Sequence, residues 1–178
     1  MAGLGARLGC RRFNLLYGNR IEGAIAAAQD ELAVQNLAAA TQAARPAGAA
    51  VLLEPLSGIP QYPLRTAADV IGVLDRLPAE GAGAALLADL YHLRVNGENI
   101  PAVLDRAASR IGHVQVADVP GRHEPGTGTA DLDGWVGQLR RLGYQGWVGL
   151  EYAPLGTTAA GLRGLGLGGM AASSPRRP

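Results

Sequence analysis

The sequence predicts an α/β fold built on a parallel sheet, and three observations lead there. Four short apolar runs each close on a carboxylate or carboxamide: Val51-Leu52-Leu53-Glu54-Pro55, Ala85-Leu86-Leu87-Ala88-Asp89, His113-Val114-Gln115-Val116-Ala117-Asp118 and Trp147-Val148-Gly149-Leu150-Glu151. Runs of this length bounded by turn residues read as strands buried on both faces, the habit of parallel sheets. Helix-like segments separate all four, and a strand with its crossover helix takes about 30 residues. The intervals fit: 35 residues from 54 to 89, 26 from 89 to 115 and 36 from 115 to 151.

Taken in order, a short helical scrap at Leu4 to Leu8 precedes a first strand, Phe13-Asn14-Leu15-Leu16-Tyr17-Gly18. Glu22 to Ala44 is a long Ala- and Leu-rich helical pattern, stopped by Arg45-Pro46 because proline cannot continue a helix. After the strand ending at Glu54, Thr66-Ala67-Ala68-Asp69 resembles a capping box and opens a helix to about Leu77. The strand ending at Asp89 leads to a helix from Pro101 to Arg110, where proline suits the first turn. Past the strand around Gln115 comes a Gly- and Pro-rich loop, Pro120 to Thr129. A helix from Leu132 to Leu142 ends at Gly143, and Gly146 to Tyr152 is the last strand. The expected sum is five strands alternating with four to five helices. Residues 1–160 form the expected domain. Residues 161–178, with five glycines between Gly161 and Gly169, read as a disordered Gly/Pro/Arg tail.

Composition narrows the chemistry. The chain has 178 residues, 48% of them apolar, and a formal charge of +1, which suits a soluble globular domain and argues against nucleic-acid or membrane partners. All 16 cations are arginine. Without lysine there is no Schiff-base nucleophile and no P-loop lysine, so carbonyl chemistry would have to run through a metal. Cys10 is the only cysteine, which excludes an intrachain disulfide and a Cys-rich zinc site. No signal-peptide core or apolar stretch approaching ~20 residues is present, and the expected setting is the cytoplasm.

Parallel strands side by side deliver Glu54, Asp89, Gln115 and Glu151 to one edge of the sheet. Any single acid there is explained by a strand ending in a turn; four in register on successive strands are not. Three carboxylates and a carboxamide carbonyl form an all-oxygen set, which suits Mg²⁺ or Mn²⁺ better than Zn²⁺. His113 shares the Gln115 face and reads as a core histidine. Tyr17 and Asn19 follow the first strand and are weaker candidates for lining a pocket, as are His123 and Glu124 in the Gly-rich loop.

These residues also carry a resemblance. Leu52-Leu53-Glu54-Pro55-Leu56, Asp89-Leu90-Tyr91-His92, the run Gly112 to Arg122, and Gly149-Leu150-Glu151-Tyr152 resemble the hydroxypyruvate isomerase family of xylose-isomerase-like TIM barrels. The resemblance spans roughly residues 8 to 160 and implies a partial (β/α)8 barrel, family strands four to eight with flanking helices. A whole barrel takes eight strands and typically ~250 residues. It implies metal binding by Glu54, Asp89, Gln115 and Glu151, with Glu54 and Glu151 as proton donor and acceptor. The implied reaction converts hydroxypyruvate to 2-hydroxy-3-oxopropanoate (tartronate semialdehyde) through an enediolate. His92, expected in the loop above its strand, and Arg122, whose planar fork fits a carboxylate, are the expected substrate contacts. Rival readings are a 2-oxo-tetronate isomerase, a ketose 3-epimerase or an inactive half-barrel. The expected partners are a small hydroxy-oxo acid and either a second copy of the chain or a missing N-terminal half.

Overall fold

The computed structural model describes residues 2–78 and 83–165. Its strands are β1 (Arg12–Leu15), β2 (Ala50–Leu53), β3 (Ala84–Asp89), β4 (Ile111–Val116) and β5 (Val148–Leu150). Its helices are α1 (Ala2–Arg7), α2 (Ala26–Ala44), α3 (Ala67–Leu74), α4 (Leu90–Val95), α5 (Ile100–Ala107), α6 (Leu132–Arg141) and α7 (Thr158–Gly164). The strands pair in parallel in chain order, so each successive unit is added to the same edge. The result is a curled half-barrel with flanking helices, as the sequence predicts.

Side-chain alternation divides the apolar residues between the two faces of the sheet. Val51, Leu53, Leu86, Ala88, Val114 and Val116 pack with Leu37, Val70, Val103 and Leu139 from the helices in one core. Leu52 and Leu87, equally buried, stand outside that core with the residues of the concave face. The alternation is reset once. Between β3 and β4, Leu86 pairs with Ile111 and Leu87 with His113, so β4 carries one extra residue, Gly112. This β-bulge puts Ile111, Val114 and Val116 among the helices while leaving His113 and Gln115 on the concave face. Arg12 then reaches across from β1, donating from Nε to the Gly112 carbonyl at 2.7 Å.

Several helix boundaries follow their local chemistry. Thr66 and Asp69 form the anticipated capping box on α3, and Asn99 and Asp131 cap α5 and α6. Gly143, at φ 91°, directly follows the C-cap residue Leu142 of α6, a position where glycine is unstrained. Other boundaries differ from the sequence reading: β1 ends at Leu15 rather than Gly18, α3 at Leu74 rather than Leu77, α5 at Ala107 rather than Arg110, and β5 spans only Val148–Leu150. The long helix starts at Ala26, since residues 22–25 form a turn whose backbone is held by the Gln29 side chain. A six-residue helix, α4, begins directly after Asp89 and was not anticipated. Finally, α7 runs through Gly164, beyond the boundary expected at 160; residues 166–178 of the expected tail lie outside the described residues.

Among the described residues β1 and β5 each pair on one side only. Along the first edge runs an apolar groove lined by Phe13, Leu15, Ala40, Ala43 and Val51, and beside the second edge Trp147 is 82% exposed. No described helix is long and apolar enough to cross a membrane.

The bulge gives a direct test of this packing. A Cβ on Gly112 would lie 2.6 Å from Leu52 Cδ2 and 2.8 Å from Ala85 Cβ. Gly112→Ala is expected to destabilise the fold by roughly 1–3 kcal/mol through overpacking, read as a lower urea midpoint with an unchanged m-value.

Candidate active site

The chemistry collects at the C-terminal ends of the strands. Glu54 follows β2, Asp89 ends β3, Gln115 stands one residue from the end of β4, and Glu151 follows β5. Register keeps them adjacent: Asp89 pairs with Gln115, which pairs with Gly149. Glu54 is 4% exposed and Asp89 fully buried, while Glu151 is exposed.

Each buried acid is held by specific donors. Asn14, on the concave face of β1, donates from Nδ2 to Glu54 Oε2 at 2.7 Å. Tyr62, 2% exposed, donates its hydroxyl to the Glu54 carbonyl at 2.8 Å and accepts from the Tyr17 N–H at 3.1 Å, tying the ends of β1 and β2 together. Asp89 Oδ1 accepts from the N–H groups of Tyr91 at 2.9 Å and His92 at 3.4 Å, so the acid also caps α4. His92 therefore sits in the first turn of a helix rather than in a loop.

The second loop system brings in a cation. Asp118, nearly inaccessible, accepts from the N–H groups of Val119, Gly126 and Ala130 within 3.0 Å. Burial alone would raise its pKa, yet those backbone donors hold its carboxyl below the ordinary value. This scaffold shapes the loop carrying Arg122, whose φ of 59° is the one left-handed non-glycine conformation among the described residues. The segment after β5 is laced to the same loop. The Ala153 N–H donates to the Arg122 carbonyl at 2.7 Å, His123 Nδ1 meets the Ala153 carbonyl at 2.7 Å, and the Leu155 N–H donates to Glu124 Oε2 at 3.1 Å. Arg122 consequently projects over the Tyr91 ring, 5.4 Å from its centroid, and donates from one terminal nitrogen to Glu151 Oε1 at 2.7 Å and Asp89 Oδ2 at 3.3 Å.

Electrostatics follow from burial in this acidic corner. Desolvation pushes Glu54 up to about 7; the Asn14 hydrogen bond opposes it, and the charges of Asp89 and Glu151 add to it. Asp89 is also raised by burial, against the pull of Arg122. His92 is lowered to about 4 by burial and then by Arg122, so the ring is neutral at pH 7. Its 3.6 Å approach to Asp89 is accordingly neither an ion pair nor a hydrogen bond.

Glu54, Asp89 and His92 each offer one donor atom within 4.8 Å of the others, and among the described residues they form the one group of histidine, cysteine and acid side chains able to hold a metal ion together. Beside them Gln115 Oε1 is buried without a hydrogen-bond partner, as is Arg122 Nε. An orphaned acceptor next to paired carboxylates is a donor that a cation would satisfy. Of the weaker candidates, the Tyr17 side chain turns away to Asp30 on α2, Asn19 is exposed, His123 and Glu124 serve loop lacing, and His113 is half-buried below Gln115. Asn14, Ser57 and Tyr62 are site residues that sequence reasoning did not reach. Asn14 carried a usable signal, being the polar residue between Phe13 and Leu15 of the first strand.

The fold agrees with that of known proteins. The family model described as xylose isomerase-like TIM barrel matches residues 1–165. The chain belongs to the xylose isomerase-like TIM barrel family. A Streptomyces coelicolor protein named "Putative hydroxypyruvate isomerase" is 51% identical over 151 residues, covering 83% of this chain and 54% of the relative. A 2-oxo-tetronate isomerase from Cupriavidus necator is 36% identical over 131 residues, covering 72% of this chain and 50% of the relative. The crystal structure of an AP endonuclease, family 2, from Brucella melitensis superposes with a TM-score of 0.83 at 30% identity, over 92% of this chain and 63% of that one. The chain thus spans about half the length of the curated relatives it matches.

The raised Glu54 gives a stability prediction. The folded chain holds this proton up to about 7, whereas a glutamate in the unfolded chain releases it at its ordinary value of 4.5. Between those values the folded state binds more protons than the unfolded one, so stability falls as pH rises across the window. Glu54→Gln removes that loss. With chelator present, the variant is expected to gain up to about 3 kcal/mol over the parent at pH 8 and almost nothing at pH 4, read as a Tm difference at the two pH values.

Proposed function

We propose that this chain carries the working half of a metal-assisted isomerase that interconverts hydroxypyruvate and 2-hydroxy-3-oxopropanoate. The observation that carries the reading is the pair of buried carboxylates, Glu54 and Asp89, beside the unpartnered oxygen of Gln115 and the strand-end Glu151. The similarity to isomerases of small oxo-acids supports the substrate class.

Glu54, Asp89, Gln115 and Glu151 are the proposed ligands of Mg²⁺ or Mn²⁺, a hard-oxygen set for a hard cation. When bound, such an ion supplies electrostatic stabilisation of negative charge developing on the substrate oxygens. The chain's own residues do the rest. One of Glu54 and Glu151 takes a proton from the hydroxymethyl carbon and the other delivers one to the former carbonyl carbon, while the hydroxyl proton passes from the hydroxymethyl oxygen to the former carbonyl oxygen, so the product is an isomer with no group gained or lost. Without a cation, burial raises Glu54 to about 7; on metal binding that proton is displaced, which leaves the carboxylate free to accept one. Arg122 is the proposed carboxylate clamp. Its Nε is a buried donor without an acceptor, which an anionic substrate group would satisfy. His92, neutral and buried against Asp89, is the proposed contact to a substrate oxygen.

A second reading keeps these roles and exchanges the substrate for a 2-oxo-tetronate or, more distantly, a ketose epimerised at carbon 3; the likeness to the 2-oxo-tetronate isomerase favours the former. Open edges at β1 and β5 further favour a working unit completed by a complementary barrel half or a second copy of the chain.

The test is Mg²⁺- or Mn²⁺-dependent conversion of hydroxypyruvate in deuterated water, compared with 2-oxo-tetronate and ketohexoses. The expected result is fastest turnover of hydroxypyruvate with deuterium at the newly protonated carbon. Glu54→Gln and Glu151→Gln should each lower kcat by about 100-fold or more; full turnover in either variant would refute the two-glutamate mechanism. Metal affinity, measured by calorimetry, should fall as pH drops below about 7, because a proton then competes for Glu54.

A further inference from the structure

Ser57 lies in the loop after β2, and both of its polar groups converge on one nitrogen of the His92 ring. Its backbone N–H donates to His92 Nδ1 at 3.1 Å, and its Oγ stands 2.7 Å from the same atom. A backbone N–H can only donate, so Nδ1 must present its lone pair. A neutral imidazole has one N–H, and the proton is thereby assigned to Nε2. Nε2 is the atom that faces the acidic corner, 3.6 Å from Asp89 Oδ2. The residue is fixed on its other side as well: the His92 backbone N–H donates to Asp89 Oδ1 in the first turn of α4, and the ring packs edge-on against Tyr91 with 5.5 Å between centroids.

We propose that Ser57 is a positioning residue that locks His92 as the Nε2–H tautomer, making His92 a hydrogen-bond donor toward substrate oxygen and barring it from the metal. The lock discriminates between two geometrically allowed roles. Glu54, Asp89 and His92 converge closely enough to hold an ion together, but a nitrogen that carries a proton has no lone pair to give. Ligation through Nε2 would force the proton onto Nδ1, against the Ser57 N–H. The cation is left to carboxylate and carboxamide oxygens, and the histidine keeps a proton aimed at the place where negative charge develops on substrate. This inference rests on the proposed metal-and-substrate reading of the site.

Long-range ¹H–¹⁵N correlation of the His92 ring at pH 7 tests it directly on the labelled full chain. The expected pattern is a single tautomer with Nε2 protonated and Nδ1 bare, unchanged on saturation with Mg²⁺ and on addition of Zn²⁺, whose preference for imidazole makes it the stronger challenge. A protonated Nδ1 in the parent chain, or a switch to it when either metal is added, would overturn the proposal. Ser57→Asp places a charged acceptor at the Oγ position, and a hydrogen bond to a charged group is roughly twice as strong as a neutral one. It is expected to invert the tautomer and to tighten Zn²⁺ binding at least several-fold as Nε2 becomes free. An unchanged ring pattern in that variant would assign the lock to the backbone N–H of residue 57 alone and overturn the role of the Ser57 side chain. If Ser57→Asp does not fold, the parent spectra with and without metal still decide. The tautomer can be read without turnover, so a chain inactive on hydroxypyruvate would count against the proposed function and leave this result standing.

Discussion

Two carboxylates removed from water beside each other, with a third at their margin, repel unless a positive charge is placed among them. Arg122 is that charge, reaching Asp89 and Glu151 from a single nitrogen. Much of the upper structure exists to hold it there. Asp118 gathers three backbone N–H groups to shape the loop, the residue takes an unusual backbone angle, and the segment after β5 is stitched to the same loop at three places. The Gly- and Pro-rich composition of that loop, which alone would equally suit a movable lid, here serves tight turns and close lacing.

Below that corner, the sheet supplies position without chemistry. Parallel strands in sequential order put every strand end on the same rim, so one acid or amide per strand suffices to build a cluster from residues nearly a hundred positions apart. The two faces divide the labour. Branched and leucine side chains meet the helices on the convex side, and the concave side holds Asn14, Leu52, Leu87, His113 and Gln115. The bulge at Gly112 is what makes this division compatible with β4, since uninterrupted alternation from Ile111 would have sent His113 and Gln115 into the helix layer.

The strand ends and the helix caps were legible because their signals are local. A short apolar run ending on an acid, a Thr-x-x-Asp start or a glycine past a helix end needs no tertiary partner to be recognised. What escaped was set across the fold. A six-residue helix opening on Asp89 shows too little periodicity to be seen, and so His92 was placed in a loop. The bulge leaves only a weak trace, since a glycine in a strand hints at one but does not say which neighbours it serves. Asn14, Ser57 and Tyr62 matter through partners 40, 35 and 8 residues away. The sequence offers Arg122 as a substrate clamp, but its ties to Asp89 and Glu151 depend on loop geometry that no local pattern carries. The proposed roles come from family resemblance, and the contacts that would make them chemically distinct are set by residues far apart in the chain.

The bond from Arg12 to the Gly112 carbonyl spans three strand intervals at the floor of the sheet. It acts as a chord drawn across an arc, joining the feet of two strands that are not neighbours in the sheet. Glu54 stands at the tip of a strand inside that span and Glu151 one strand beyond it, so the same curl is tied at its base by an arginine that touches neither acid.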